Sequence, residues 1–396
     1  MAALSVAEAL ARILDGVRPL EAEPVSLLDA HHRTLAADVT AQLTQPPFDA
    51  SAMDGYAVRL ADVARLPAAL AVVGEAAAGS GFHGTLKPGE AVRILTGAPV
   101  PEGCDAIVIQ ENADRAGPTL RVRDGKPDPA HIRPKGGDFS AGQTILHAGR
   151  TLDARALSLA AASGNAILSV HRRPRVAILA TGDELVAPGQ IPGPGQIVSS
   201  NPIGLAAMVR ACGAEPVLLG IAPDNQADVE AHIARAAGSD ILVTTGGASV
   251  GDHDLVRPAL ANLGMTLDFW NIAMRPGKPM LFGRLGSQRV LGLPGNPVSA
   301  LITARVFLLP LMSALLGQPS ASGDSVTALL NADVEANGPR QHYMRAKLDA
   351  GTVTPVENQD SSLLLPLASA NALIVRPPHA PALARGAHVP ILRIDF

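Results

Sequence analysis

The chain has 396 residues, of which 47% are apolar and 17% charged; at about 150 residues per domain this length supports two to four domains, each with its own core. A net charge of -4 excludes capture of nucleic acid or of an anionic membrane by general attraction, so any anion has to be held by a local site. Two cysteines, Cys104 and Cys212, exclude a disulfide framework and a zinc cluster, and fit a reducing cytoplasm in which both serve as small buried apolar residues.

The first predicted element is a helix. In "MAALSVAEALARILDG", Val6, Leu10, Ile13, Leu14 and Val17 share one face, while Glu8, Arg12 and Asp15 interrupt any apolar run. That pattern describes a packed surface helix rather than a signal segment. From Gln45 to Asp138, short apolar runs such as "PAALAVVGE", "DAIVIQE" and "TLRVRDG" alternate with Gly and Pro and predict a small β-rich domain. The Ala/Leu-rich "LDARALSLAAASG", Leu152 to Gly164, predicts a second helix; packed against the first, it would form a discontinuous helical domain into which the β-rich domain is inserted. "SVHRRPR", Ser169 to Arg175, reads as a solvated hinge.

From Arg175 to Gly317 strands and helices alternate: "RVAILA", "NPIGLAAMVRACG", "EPVLLGI", "ADVEAHIARAAG", "DILVTT", "LVRPALANLG", "TLDFWNIAM", "RVLGL" and a final helix. This is the pattern of a doubly wound, mostly parallel sheet with helices on both faces. The apolar "VFLLPLMSALLG" within the final helix falls short of the ~20 residues that span a bilayer and contains Pro310, so no membrane span is expected. After Gln318, "SVTALLNADV", "QHYMRAKLDAG", "TVTPVEN", "ANALIVRPP" and "HVPILRIDF" predict a small antiparallel β-barrel. The expected architecture is multidomain α/β plus β in four parts: 1–45 with 139–173, then 46–138, 174–318 and 319–396.

Ligands of an open parallel sheet bind at the carboxyl ends of its strands, where the following helices present unpaired N–H groups. The loops expected there are "TGDE" (Thr181 to Glu184), "APDN" (Ala222 to Asn225), "TTGGASVGDHD" (Thr244 to Asp254), "MRPGKP" (Met274 to Pro279) and "LPGNPVS" (Leu293 to Ser299). Together they supply Asp183, Glu184, Asp224, Asp252 and Asp254 against Arg275 and Lys278. Carboxylates crowded on one edge call for a hard cation, and the two bases for an anion, a pairing typical of Mg²⁺ with a phosphate-like group. Gly246, Gly247 and Gly251 admit a ligand to bare backbone. Asn296 reads as an N-cap and Pro297 as a first-turn residue, leaving the next amides and the Ser299 hydroxyl for an oxyanion. Prolines on both sides of Gly277-Lys278 restrict the direction in which the lysine is presented. Any single loop also reads as an ordinary tight turn, Asp183 or Asp254 as a helix cap, Asp240 as a solvated or capping residue, and His253 as exposed scaffolding.

In the β-rich domain, "PPFDASAMDGYAV" places Asp49, Ser51 and Asp54 among small residues, and "ILTGAPVPEGCDAIVIQE" and "IRPKGGDF" add Thr96, Arg133, Lys135 and Asp138. Taken in order, "FDASAMDGYAV", "ILTGAPVPEGCDAIV", "IRPKGGDF", "ATGDELV", "GGASVGDHD", "RPGKP" and "GLPGNPVSA" resemble the molybdopterin molybdenumtransferase family, the MoeA and gephyrin E-domain group, and the likeness spans almost the entire chain. The resemblance implies an elongated four-domain subunit. It also implies a cytoplasmic homodimer whose active cleft lies between the β-rich domain of one subunit and the doubly wound and C-terminal domains of the other. The implied substrate is adenylylated molybdopterin: its phosphoanhydride is hydrolysed with Mg²⁺ while molybdate enters the dithiolene, releasing AMP, and a transient contact with the molybdopterin adenylyltransferase would deliver it.

Carried over by position, the resemblance assigns catalytic roles to Asp254, Asp54, Asp138 and Glu184, and Mg²⁺ to Asp254, Asp252 and Glu184. Substrate falls to Thr96, Arg133, Asp183, Asp224, Gly246, Gly247, Ser249, Gly251, Pro294, Gly295 and Asn296. Molybdate falls to Arg275, Lys278 and Ser299, with Arg340 or Arg345 and Ser361 or Ser362 closing the pocket. Two departures stand out: Arg275 occupies a position where many members carry Lys, and "NQDSSLLLP" lacks the basic or His residue that often follows the Ser pair. The rival readings are the adenylyltransferase of the same pathway, whose fold resembles the Arg175 to Gly317 region, and a non-enzymatic carrier of molybdate or molybdopterin.

Overall fold

The computed structural model describes residues 3–246, 255–319 and 326–394. Six strands form the central sheet: β1 (Arg175–Thr181), β2 (Glu215–Ala222), β3 (Ile241–Thr245), β4 (Thr266–Asn271), β5 (Pro279–Leu285) and β6 (Gln288–Leu293), in the order β2-β1-β3-β6-β5-β4. Strands β1, β2, β3 and β6 pair in parallel, and β5 runs antiparallel to both of its neighbours. In β1, Val176 and Ile178 enter the core on one face, Ala177 and Leu179 that on the other, and all four are fully buried. A sheet covered on both sides requires this continuous apolar strand. Helices α1 (Asn201–Ala211) and α4 (Pro297–Leu315) cover the first face, α2 (Gln226–Ala234) and α3 (Val256–Asn262) the second.

Strand β5 is absent from the sequence-level reading, which passes directly from "TLDFWNIAM" to "RVLGL". Because β5 is antiparallel to β4 and β6, its amino end and the carboxyl end of β4 lie on the edge where the parallel strands end, and the connection between them carries Arg275 and Lys278 along that edge.

The N-terminal helix forms as expected over Val6–Leu14, started by a Ser5–Glu8 capping box. Its packing differs from expectation. Val6, Ala9 and Ile13 join the core of the α/β domain, Leu4 bridges Ile272, and the Arg289 guanidinium donates to the carbonyls of Ile13 and Asp15, both at 2.8 Å. The carbonyls left open at the helix end thus find a partner in the sheet. The helix Ala154–Ala162 packs elsewhere, through Ala156 and Ala160, on a small unit in which Ala22–Ser26 pairs with Ile167–His171 and Val39–Thr40 with Thr144–Leu146. Strands from both flanks of the inserted stretch thus pair with one another, where two helices were expected to pack.

The "SVHRRPR" segment is more than a solvated hinge. Arg172 donates to both Asp240 carboxylate oxygens at 2.7 Å and pairs with Glu21, and Asp240 also accepts from the Arg175 amide at 2.7 Å. Asp240, read as solvated or capping, is the acceptor of an ion pair tying the first unit to the sheet.

Helix α4 is 19 residues long with a mean hydropathy of 1.9, enough by length and composition to cross a membrane, but 67% of its apolar window is buried inside the protein. A π-turn over Ala304–Leu308 precedes Pro310, so the helix runs on through the proline that appeared to limit it. The inserted domain is a six-stranded sheet in the order Ala106–Ile109, Gly55–Val58, Glu90–Ile94, Ala68–Ala76, Thr119–Val122, Ala113–Ala116. The C-terminal domain is a closed five-stranded barrel of Val326–Leu330, Gln341–Asp349, Thr352–Pro355, Ala372–Arg376 and His388–Arg393. Met274–Arg275 of the α/β domain adds to the barrel beside Gln341 and His342.

Candidate active site at the sheet edge and barrel junction

At the ends of β1 and β2 two acidic loops hold each other. The Asp183 amide donates to the Asp224 carboxylate at 3.2 Å and the Asp224 amide to the Asp183 carboxylate at 2.9 Å. Both residues are exposed, as is Glu184, whose carbonyl accepts from the Ile197 amide at 2.7 Å and whose side chain has no hydrogen bond or ion pair among the described residues. After β3, Gly246 has φ +89, and a Cβ there would lie 2.5 Å from the Thr181 carbonyl oxygen. Only glycine closes that approach. The "LPGNP" turn lies beside it, since a Cβ on Gly295 would come within 3.8 Å of the Gly246 Cα. Gly247, Ser249, Gly251, Asp252, His253 and Asp254 lie outside the described residues. Hard carboxylate oxygens are the donors that Mg²⁺ prefers, usually one or two with water completing the shell, so Glu184 and its neighbours suit such an ion chemically. Among the described residues no three acids or imidazoles converge.

The junction with the barrel contains a cavity of about 460 Å³, within the span of about 300–1,000 Å³ usual for small-molecule sites. Its wall gathers five of the seven residues assigned to molybdate, Arg275, Lys278, Ser299, Arg340 and Ser361, together with Pro294 and Asn296 of the substrate set. Each is placed by a local device. The Ile272 amide donates to the Lys278 carbonyl at 3.0 Å, closing the loop that carries Arg275, and the Gln341 amide of the barrel donates to Ala273 O at 2.9 Å. Gly277, at φ +102, packs so close to α4 that a Cβ would meet Thr303 Oγ1 at 2.3 Å. Ser299 is buried in the first turn of α4.

Asn296 occupies the N-cap position of α4, yet its side chain makes no cap bond: the amide donates instead to Ser361 Oγ at 2.9 Å. The Val298 amide donates to the Ser361 carbonyl at 3.1 Å, so one amide expected to await an oxyanion is taken by the barrel loop.

That loop, residues 358–363, is organised from beneath by Arg345. This arginine is 1% exposed, and its guanidinium donates to the carbonyls of Leu363, Asn358 and Asp360 at 3.0, 3.0 and 2.8 Å. It does not line the cavity. Ser362 is turned away as well, its amide and hydroxyl both donating to Asp360 at 2.8 Å. These two bonds, the amide first, hold the Asp360 carboxyl below its usual range. Gln359 and Asp360 line the cavity without having been singled out. The available signal was "NQDSS", a run of residues that hydrogen-bond their own backbone in turns.

Among the described residues the side chains of Arg275, Lys278 and Arg340 have no hydrogen bond or ion pair. In the β-rich domain, Asp54 accepts from the Thr96 amide at 2.7 Å and the Thr96 hydroxyl at 2.8 Å, which depress its carboxyl pKa. Arg133 pairs its backbone with Ala50, and Asp138 is exposed. None of these four residues lines the cavity, and no hydrogen bond or ion pair between described residues joins them to the sheet edge. Burial pushes the Cys104 thiol up to about 12 and raises that of Cys212, as apolar surroundings should.

Three family models match the chain: the MoeA N-terminal region (domains I and II) over residues 4–164, a probable molybdopterin binding domain over 177–314, and the MoeA C-terminal region (domain IV) over 327–394. Among named relatives, molybdopterin molybdenumtransferase 2 of Mycobacterium tuberculosis is 38% identical over 394 residues, covering 96% of each chain. The molybdopterin molybdenumtransferase of Nostoc sp. is 37% identical over 395 residues, covering 95% of this chain and 89% of its own. The crystal structure of the molybdopterin biosynthesis MoeA protein of Pyrococcus horikoshii superposes with a TM-score of 0.85 at 28% identity, covering 98% of both chains.

Proposed function

The chain belongs to the molybdopterin molybdenumtransferase family, transferases of molybdenum cofactor biosynthesis, and on that premise we propose that it transfers molybdate to the dithiolene of adenylylated molybdopterin as the phosphoanhydride is hydrolysed and AMP released. One observation carries the reading. The charged residues around the junction cavity are Arg275, Lys278, Arg340 and Asp360, a net charge of +2, and no cation among them is spent on a partner among the described residues. Molybdate is a tetrahedral dianion of matching charge.

Arg275 and Arg340 each offer several N–H donors and Lys278 a compact ammonium, suited to separate oxygens of one oxyanion. Ser361 Oγ accepts from Asn296, which leaves the serine proton free to donate into the cavity, and Ser299 adds a second hydroxyl from α4. The volume exceeds what one oxyanion needs, and contact between the Gly295 and Gly246 turns connects this pocket to the acidic loops where the pterin phosphate would lie. Glu184, with Asp252 and Asp254, would hold Mg²⁺, which when bound neutralises charge on the phosphoanhydride. Asp183 and Asp224 keep the acidic loops in register. In a homodimer, the β-rich domain of a second copy would bring its Asp54, Thr96, Arg133 and Asp138 to the opposite side of the cleft.

The test is full-length protein incubated with adenylylated molybdopterin, molybdate and Mg²⁺, scored for AMP release and for activation of an apo-molybdoenzyme. Wild type should do both, and Asp254→Asn should leave adenylylated molybdopterin unconsumed. Full flux through Asp254→Asn would identify a carrier instead. Formation of the adenylylated compound from ATP and molybdopterin alone would identify an adenylyltransferase.

A further inference from the structure

The wall of the junction cavity carries one charge of the wrong sign for an oxyanion. Asp360 lines it together with Arg275, Lys278 and Arg340, is exposed, and pairs with none of the three cations. Its backbone is turned into the loop: the carbonyl accepts from Arg345 Nη2 at 2.8 Å and the amide donates to Asn358 Oδ1 at 2.9 Å. The polar atoms that Asp360 has left for the cavity are those of its carboxylate. Oδ1 accepts from the Ser362 amide and hydroxyl, both at 2.8 Å, and Oδ2 accepts no hydrogen bond among the described residues. The same two bonds hold the carboxyl below its usual range, so the charge is present at any pH near neutrality.

The turn itself does not need this charge. A neutral carboxamide oxygen can accept from the same amide and hydroxyl, as Asn358 does for the Asp360 amide two residues on. The negative charge is surplus to the construction of the loop, and its effect falls on whatever the cavity holds. Three cations alone would hold a dianion more tightly than three cations opposed by a carboxylate. Tight ground-state binding does not speed the transfer of an ion that has to leave its pocket for the dithiolene.

We propose that Asp360 is the affinity-setting residue of the junction cavity: its carboxylate opposes Arg275, Lys278 and Arg340, so that a free tetrahedral dianion is held loosely enough to be passed on. This role rests on the reading of the cavity as the molybdate pocket, and adds to it a residue that repels the ion rather than binds it. Because the opposition is Coulombic, it scales with the charge of the ion. Perrhenate, a tetrahedral monoanion of similar size, should feel half the effect in free energy.

Calorimetric titration of the full-length protein with molybdate and with perrhenate tests it, at low ionic strength, where an exposed charge is least screened. Asp360→Asn keeps an acceptor at Oδ1 and removes the charge, so it should bind molybdate about 10-fold and perrhenate about 3-fold more tightly than wild type. Asp360→Glu restores the charge and should return both affinities towards those of wild type. Molybdate bound no more tightly by Asp360→Asn would leave the residue a turn-former alone and overturn the proposal. Equal gains for the two ions would overturn it as well, since a change of loop shape does not count charges. Lys278→Ala separates this role from the reading beneath it. If Lys278→Ala weakens molybdate while Asp360→Asn gains nothing, the role of Asp360 falls and the pocket stands; if neither variant changes molybdate affinity, both fall.

Discussion

Charged residues at the acidic loops and at the junction cavity lie close in the fold but are used in opposite ways. At the ends of β1 and β2, Asp183 and Asp224 spend their carboxylates on each other's amides. At the barrel junction, Arg275, Lys278 and Arg340 carry charges with no partner among the described residues, on a wall shaped by residues that are engaged: Arg345 under the loop, Asn296 and Val298 across to Ser361. The difference teaches that engaged polar groups build the frame and unengaged ones face the ligand. Removing a member of the first class should cost stability, and removing a member of the second should cost affinity.

The strongest test of that division is Arg345→Met. Losing three charge-assisted bonds to carbonyls of one loop should lower unfolding stability by about 3 kcal/mol in urea melts, and weaken molybdate as well because Ser361 is no longer held. An unchanged melt would place Arg345 among the ligand-facing residues. Lys278→Ala should do the reverse: molybdate affinity by calorimetry falls by about 100-fold, equivalent to about 2.7 kcal/mol, while the melting midpoint stays put. A shifted midpoint with intact affinity would break the comparison.

His342 sharpens it through pH. Its folded pKa, about 4, lies below the ordinary 6.5, so the unfolded chain takes up the proton first as pH falls. Stability should therefore be full above pH 6.5, decline between about 6.5 and 4 by on the order of 3 kcal/mol, and then level off. His342→Gln should flatten this component, and a slope that survives the substitution would assign it to other groups. The smallest effect belongs to Asp183→Ala, which leaves the Asp224 amide without its exposed partner and should lower stability by under ~1 kcal/mol in the same melts.

Much of the candidate site could be read before any coordinates. Parallel-sheet periodicity located the strand ends, and Gly, Pro, acid and base at those ends marked loops built for a ligand. What escaped were the residues whose roles depend on a partner distant in sequence. Asp240 looked like a strand-start acid, yet it receives Arg172 from 68 residues away. Arg345 and Arg340 carried equal weight as molybdate ligands, and only the barrel's closure buries one under the loop and leaves the other at the cavity. Gln359 and Asp360 read as loop polarity, and their place in the wall follows from the same closure.

By itself, the sequence determined where most strands and helices of the α/β domain form, though not β5, that an anion must be captured locally, and which loops carry unlike charges, because these properties follow from periodicity and side-chain chemistry within short windows. The tertiary structure alone decided that an antiparallel β5 is inserted between β4 and β6, that the N-terminal helix packs on the α/β core, and that Arg345 is buried under the barrel loop. Each of these depends on which distant surfaces meet, and the free energy of burying a face or a charge belongs to the pair of surfaces rather than to either segment alone.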